Sequence, residues 1–406
     1  MSITMIYGDH AGAVDGREDD DRLWLDASSL AAATGWELKP QGLCRDEACI
    51  AVPAGATWRD EDGRVDVTAL AEHLGQPVVH DARRAVWAFG ESAHARGDAL
   101  LSGVAPDFSL PDIDGTPHRL SEYRGRKVFL FTYGSYCGCG FDLPCWQVVY
   151  DELKDRGIVF ISVALDAAGV AAVGDRILAS DLAERDPFLG KGMGWNDDIW
   201  SRQAVPEYPC LIDTEHVVAD LFNMTNVPMA VWIDEEGRVV RPAEAAGFGD
   251  SFRGIDWASR AMPDGDDEHA EILRSNRDVY IAALRDWVAN GQDSFAAMSA
   301  EEVRAAQRLP SEADVRAATH ARIGKLLFDR GDNAGAEEHF RAATELAPDK
   351  WNYRRQSMVL DPQLVGQINS APEFVQALED LGEGHYYPPI ALPGIRVHNG
   401  DVDARP

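Results

Sequence analysis

The stretch "GSYCGCGFDLPCW", residues 134–146, holds three of the six cysteines in a chain of 406 residues. Cys137 and Cys139 are separated by one glycine, and Cys145 follows six residues after Cys139. Thiols this close can exchange disulfides or grip a soft metal ion. A thiol just ahead of a helix meets the free N–H groups and the positive end of the helix dipole. Both favour the thiolate, which is the nucleophile. A second thiol within reach turns a mixed disulfide or a sulfenic acid into an intramolecular disulfide. In that scheme Cys137 is the nucleophile and Cys139 the resolving thiol. The alternative is a site for Cu(I), Zn(II) or mercury that adds Cys145 or Cys210 to the pair. No histidine lies near the cluster, which weakens the zinc version. The histidines elsewhere are scattered and form no ligand set.

Cys145 in "LPCWQ" and Cys210 in "EYPCLID" read as small buried hydrophobes, with Cys145 also open as an alternative disulfide partner. Cys44 and Cys49 flank the polar loop "RDEA". They are either a hairpin-bridging disulfide, a second redox pair, or two unrelated thiols.

The elements around the cluster form a pattern. "KVFLFTY" is a continuous apolar run, as a buried strand requires. "DLPCWQVVYDELKDRG" places Leu143, Trp146, Val149, Tyr150 and Leu153 on one helical stripe and ends in Gly157. "IVFISVALD" is a second buried strand. Strand, helix, strand is a βαβ unit, so the two strands should be parallel. An irregular insertion with helical parts follows at 167–206. Its Trp195 and Trp200 either pack it onto the sheet or line a groove above the thiols. Then come a short helix "VVADLFN", a strand "PMAVWID" and a returning strand "RVVRPA". The expected fold class is α/β, with mixed strand directions.

These residues carry a resemblance. Residues 104–247 resemble the thioredoxin-like redoxins, nearest the TlpA- and ResA-type thiol–disulfide oxidoreductases and related to AhpC/TSA proteins. The opening "APDFSLPDIDGTPHRLSEYRGRKVFLFTYGSYC" and the end "NVPMAVWIDEEGRVV" carry it. The resemblance implies a thioredoxin-like fold, a central mixed sheet flanked by helices. It implies that Pro228 is a cis-proline facing the thiols, with neighbouring backbone that holds the substrate beside Cys137. Asp142 and Pro144 fall at the family's spacing after Cys139, so Asp142 would be the acid–base partner of the resolving thiol. The implied activity is reduction, oxidation or isomerisation of a disulfide in a protein or small thiol substrate. A thioredoxin- or glutathione-type donor would supply electrons, and no organic cofactor is needed.

The sequence departs from that family in its Cys-Gly-Cys spacing, one residue shorter than Cys-x-x-Cys. Phe131 stands where thioredoxins themselves keep a buried Asp. A thiol-dependent peroxidase is the neighbouring alternative. However, Leu130 and Gly134 occupy the places where peroxiredoxins keep Pro and Thr or Ser.

The rest of the chain divides by pattern. Residues 1–100 read as a small α+β module whose first 22 residues, ending in "DGREDDD", form a solvated mobile arm. The redoxin unit spans 104–250. Residues 251–360 read as helical. Within them Ile323, Gly324, Leu327, Ala336, Phe340, Ala343 and Pro348 match one tetratricopeptide-like repeat, at about 315–348. One repeat cannot make a solenoid, so it should pack on the helices before it. Residues 361–406 read as an extended tail.

The net charge of −30 argues against nucleic acid and anionic membrane partners. No signal-like start and no membrane-length apolar run is visible, so the expected location is the cytoplasm.

Overall fold

A computed structural model describes residues 3–397, apart from 9, 54–57, 180, 182–183, 185, 256–258, 260–267, 361–363 and 365–367. The chain divides into two compact units. One is Met1–Asp98 with Leu309–Pro348; the other is Ala99–Arg308 with Asp349–Pro406.

The first unit is built on a sheet in the order His10–Val14, Ile3–Tyr7, Val86–Phe89, Val78–Asp81. Ile3–Tyr7 is buried along its whole length and runs parallel to Val86–Phe89. The expected mobile arm is therefore wrong. "ITMIY" is five residues with almost no polar surface, which suits a strand covered on both faces. The charge run is a hairpin: Gly16–Asp19 pairs antiparallel with Arg22–Leu25, and Asp20 takes the left-handed conformation (φ 50°) at its tip.

The helix pair Glu312–Asp329 and Asn333–Leu346 belongs to this unit, not with the helices that precede it in sequence. Polar anchors explain the placement. Arg84 pairs with Asp81 at 2.7 Å and Asp332 at 2.5 Å, and His339 Nε2 lies 3.2 Å from Asp81. Arg330 donates to the Thr4 hydroxyl at 3.0 Å. The repeat-like spacing concerns packing within the helix pair. It carries no information about which surface the pair covers.

The second unit holds a five-stranded sheet in the order Cys210–Asp213, Ile158–Leu165, Lys127–Tyr133, Met229–Ile233, Val239–Ala245. The first three strands are parallel and the last two antiparallel to their neighbours, as expected. Lys127–Tyr133 and Ile158–Leu165 are buried throughout. The helix Leu143–Leu153 covers the sheet through Trp146, whose ring centroid lies 5.0 Å from that of Phe129. The long helix Glu268–Asn290 packs through Trp287, stacked on Trp232 at 5.1 Å.

The tail is not simply extended. It contains a helix, Pro372–Asp380, and a short irregular run that buries Tyr386, Tyr387, Ile390 and Leu392. Apolar residues spaced irregularly around "HYYPPIALPGI" give no helical or strand period, yet they bury well. Residues 398–406 of that expected tail lie outside the described residues. Among the described residues, no helix is long and apolar enough to cross a membrane.

Candidate active site

The strand Lys127–Tyr133 delivers the chain to Gly134, where a tight turn begins. The N–H of Cys137 donates to the Gly134 carbonyl at 3.1 Å. A Cβ on residue 134 would lie 2.6 Å from the Tyr136 ring, so only glycine fits. Cys137 and Cys139 are joined as a disulfide, with Cα atoms 5.1 Å apart. Cys137 is 7% exposed and Cys139 1%. The outer sulfur is thus the one a substrate can reach.

The α-helix does not start directly after Cys137. A three-ten turn, Gly138–Phe141, intervenes, and the helix runs Leu143–Leu153. What remains of the expected helix effect is local: the N–H of Cys139 points at Cys137 Sγ, 3.2 Å away. Two guanidinium groups brace the same loop. Arg176 donates to the Ser135 carbonyl at 3.2 Å and stacks 3.8 Å from the Phe141 ring centroid. Arg355 donates to the Tyr136 carbonyl at 2.6 Å. Both hold the backbone that leads into Cys137.

Val227–Pro228 is a cis peptide, as expected for this position. The Val227 carbonyl oxygen lies 3.7 Å from Cys137 Sγ. Pro228 and the disulfide therefore face each other across the end of the sheet.

Asp142 is buried and held on both oxygens. Trp195 Nε1 donates to one at 2.7 Å, and Arg277 Nη2 donates to the other at 3.0 Å. Burial pushes its carboxyl above the usual range, and the Arg277 charge and Trp195 hydrogen bond pull against that. Trp195 and Trp200 are both buried packing residues.

Cys145 and Cys210 are free, buried thiols. Burial raises both, Cys210 to about 12 and Cys145 further, so neither ionises near neutrality. Cys44 and Cys49 form a disulfide across the hairpin Gly42–Arg45 and Ala48–Ile50, in the other unit. Among the described residues, no three of His, Cys, Asp or Glu converge as metal ligands.

Three participants were missed in the sequence. Arg277 had a signal: it sits at a core position of a helical stripe with Leu273, Tyr280 and Leu284. A charge on a buried stripe needs a partner, and Asp142 is that partner. Arg176 and Arg355 had none, since each is brought to the loop only by the tertiary fold.

Comparison with known proteins bears on this region. The profile of the AhpC/TSA family matches residues 102–241. The thiol-disulfide oxidoreductase ResA of Geobacillus kaustophilus (strain HTA426) is 28% identical over 140 residues, which is 34% of this chain and 66% of that protein. ResA of Bacillus subtilis (strain 168) is 27% identical over 138 residues, covering 34% of this chain and 63% of that protein. The chain thus spans just under two thirds of the length of these relatives. Among solved structures, a putative thiol:disulfide interchange protein DsbE from Chlorobium tepidum is 23% identical with a TM-score of 0.24, over 34% of this chain and 79% of its own. The family match, the strand order and the cis-proline opposite the cysteine pair agree, and residues 102–241 are a thioredoxin-like redoxin domain of AhpC/TSA type.

Proposed function

We propose that the chain is a thiol–disulfide oxidoreductase whose working pair is Cys137 and Cys139. The observation that carries this reading is the placement of that pair. Cys137 is the more exposed sulfur, faces the cis-proline turn, and is flanked by an N–H donor and two guanidinium groups.

In the reducing direction the Cys137 thiolate attacks one sulfur of a substrate disulfide. The substrate S–S bond breaks, one substrate thiolate leaves, and a mixed disulfide forms on Cys137. Cys139, after losing its proton, attacks Cys137 Sγ. The second substrate thiolate leaves, and the Cys137–Cys139 disulfide carries away the two electrons' worth of oxidation. A dithiol donor resets the pair; with an oxidised partner the same steps run backwards.

Asp142 is the proposed proton acceptor for Cys139. Its raised pKa brings it nearer to the range in which a carboxyl exchanges protons at neutral pH. Trp195 and Arg277 fix its place.

The test is a redox titration of the intact chain, with free thiols located by mass spectrometry, beside C137S and C139S. A reversible two-electron transition joining Cys137 to Cys139 is expected. C139S should accumulate the mixed disulfide on Cys137. D142N should slow the resolving step at neutral pH, and the difference from the parent should shrink at high pH, where Cys139 ionises without help. Pairing of Cys137 with Cys145 or Cys210 instead would sink the mechanism.

A further inference from the structure

Cys137 opens onto a cleft of about 1030 Å³, lined among others by Arg176, Arg355, Phe248, Phe252 and Phe374. Its walls are mostly apolar carbon, with guanidinium groups at the end nearest the sulfur. In a chain of net charge −30 such cations are usually paired. Among the described residues Arg176 and Arg355 make no ion pair: their hydrogen bonds go to carbonyl, amide and phenol oxygens. Arg176 Nη1 is buried without any partner, and so is Arg355 Nε. Asp186 and Glu379 stand on the same walls. A buried cation with unfilled donors costs stability unless an anion visits it.

The backbone groups that would hold a peptide in the same site are already bonded. The backbone beside Pro228 was expected to hold a substrate chain. The Val227 carbonyl instead accepts the hydroxyl of Tyr387, and the Val227 N–H donates to Asn226 Oδ1 at 2.9 Å. Tyr387 is not loosely placed. Asp250 accepts the N–H groups of Tyr386 and Tyr387 at 2.9 and 2.6 Å. Asn226 donates to the Tyr386 carbonyl at 3.2 Å, and Arg355 to the Tyr386 hydroxyl at 2.9 Å. The Tyr387 hydroxyl takes the Val227 acceptor that an extended polypeptide would use, and five hydrogen bonds hold the segment in place. The cleft beyond it stays open.

We infer that this cleft takes a small organic disulfide that carries a carboxylate on an apolar body, rather than an extended polypeptide. The inference rests on the oxidoreductase reading and names its substrate class. The carboxylate meets Arg176 and Arg355, and the apolar body lies on Phe248, Phe252 and Phe374. One sulfur then comes to Cys137. The electron balance is that given above, with two substrate thiols released and a dithiol donor resetting the pair.

The test uses the intact chain, reduced and freed of reductant. It is mixed with three disulfides of similar size and different charge: dithiodipropionate, hydroxyethyl disulfide and cystamine. Insulin serves as the polypeptide disulfide. The rate of formation of the Cys137–Cys139 bond is read by rapid quenching and mass spectrometry. Dithiodipropionate should react faster than the neutral and cationic compounds by roughly tenfold or more, and insulin should be the slowest. In R176Q the ratio of the dithiodipropionate rate to the hydroxyethyl disulfide rate should fall towards one. Equal rates across the three charges, or insulin reacting fastest, would overturn the inference and leave the oxidoreductase reading standing. Failure of every disulfide to oxidise the pair would overturn both.

Discussion

Arg277 and Asp142 lie 135 residues apart in sequence and meet as a buried ion pair, Nη2 to Oδ2, 3.0 Å apart. Their side chains are 0% and 2% exposed. The pair ties the long helix Glu268–Asn290 to the first turn after the cysteines. Arg277 also donates to the carbonyls of Ala246 and Met193, and its guanidinium lies 4.4 Å from the Trp195 ring centroid. Removing one partner strands the other charge away from water.

R277M should therefore cost about 3–5 kcal/mol of stability, the usual loss when a buried pair is broken from one side. Replacing both residues, as in D142L/R277M, should recover part of that loss, because no charge is then left buried. The cost that remains is the Trp195 N–H without its acceptor and the Ala246 and Met193 carbonyls without the Arg277 donor, up to about 1–3 kcal/mol for each group left unpaired. Urea midpoints of the second unit's tryptophan fluorescence would measure this. A double variant less stable than R277M would show that the two side chains do not act as a pair.

Asp213 should make stability depend on pH. Its carboxylate accepts the N–H groups of Val217 and Val218 at 2.9 and 2.8 Å, and burial raises its pKa from 3.8 to about 7. The folded pKa lies above the unfolded one. The folded state thus holds the proton more tightly, and stability falls as pH rises from about 4 through about 7. A shift of that size corresponds to at most about 4 kcal/mol. D213N cannot ionise and keeps an acceptor oxygen for one of the two N–H groups, which Oδ1 and Oδ2 accept separately. Its stability relative to the parent should rise over that pH interval. A constant difference between the two proteins from pH 4 to 7 would show that Asp213 titrates normally.

Much of the redoxin unit was legible in the sequence, and for a physical reason. Strands buried on both faces must be continuous apolar runs, so "KVFLFTY" and "IVFISVALD" announce themselves. The cysteine pair and Pro228 carry the chemistry and the backbone turn in their residue types. Features set by long-range meetings were not legible. Arg355 reaches Tyr136 across 219 residues, and Tyr387 reaches Val227 across 160. Neither side chain breaks a local pattern, so nothing nearby marks it. The opening strand failed for the opposite reason. Its charged neighbours at 15–22 dominate the local composition, while five apolar residues decide the burial. The helix lies within the expected "DLPCWQVVYDELKDRG", but Cys137 does not sit just before it. "GCGF" has too little helix propensity to propagate an α-helix and closes as a three-ten turn.

Gly90 gives a test of how the helix pair Glu312–Leu346 is seated. It follows the strand Val86–Phe89 directly, and its N–H donates to the Pro77 carbonyl at 2.9 Å. A Cβ there would strike the Thr319 hydroxyl and approach Pro77 Cγ to 2.8 Å. Thr319 cannot easily yield, because its hydroxyl donates to the Val315 carbonyl at 2.8 Å and its side chain is buried. Gly90 has no positive φ, so the objection to a side chain is steric alone. Replacing glycine by alanine would stiffen the unfolded chain and add about 0.4–1 kcal/mol of stability where space allows. Overpacking a filled interface costs about 1–3 kcal/mol. The second effect is larger, so G90A should destabilise the first unit by roughly 1–2 kcal/mol. G90A combined with T319A, which removes the struck hydroxyl, should be less destabilised than the sum of the two single changes. Denaturant midpoints of the four proteins give the coupling directly. If the double variant loses the full sum, Thr319 does not sit against Gly90, and the helix pair is seated elsewhere.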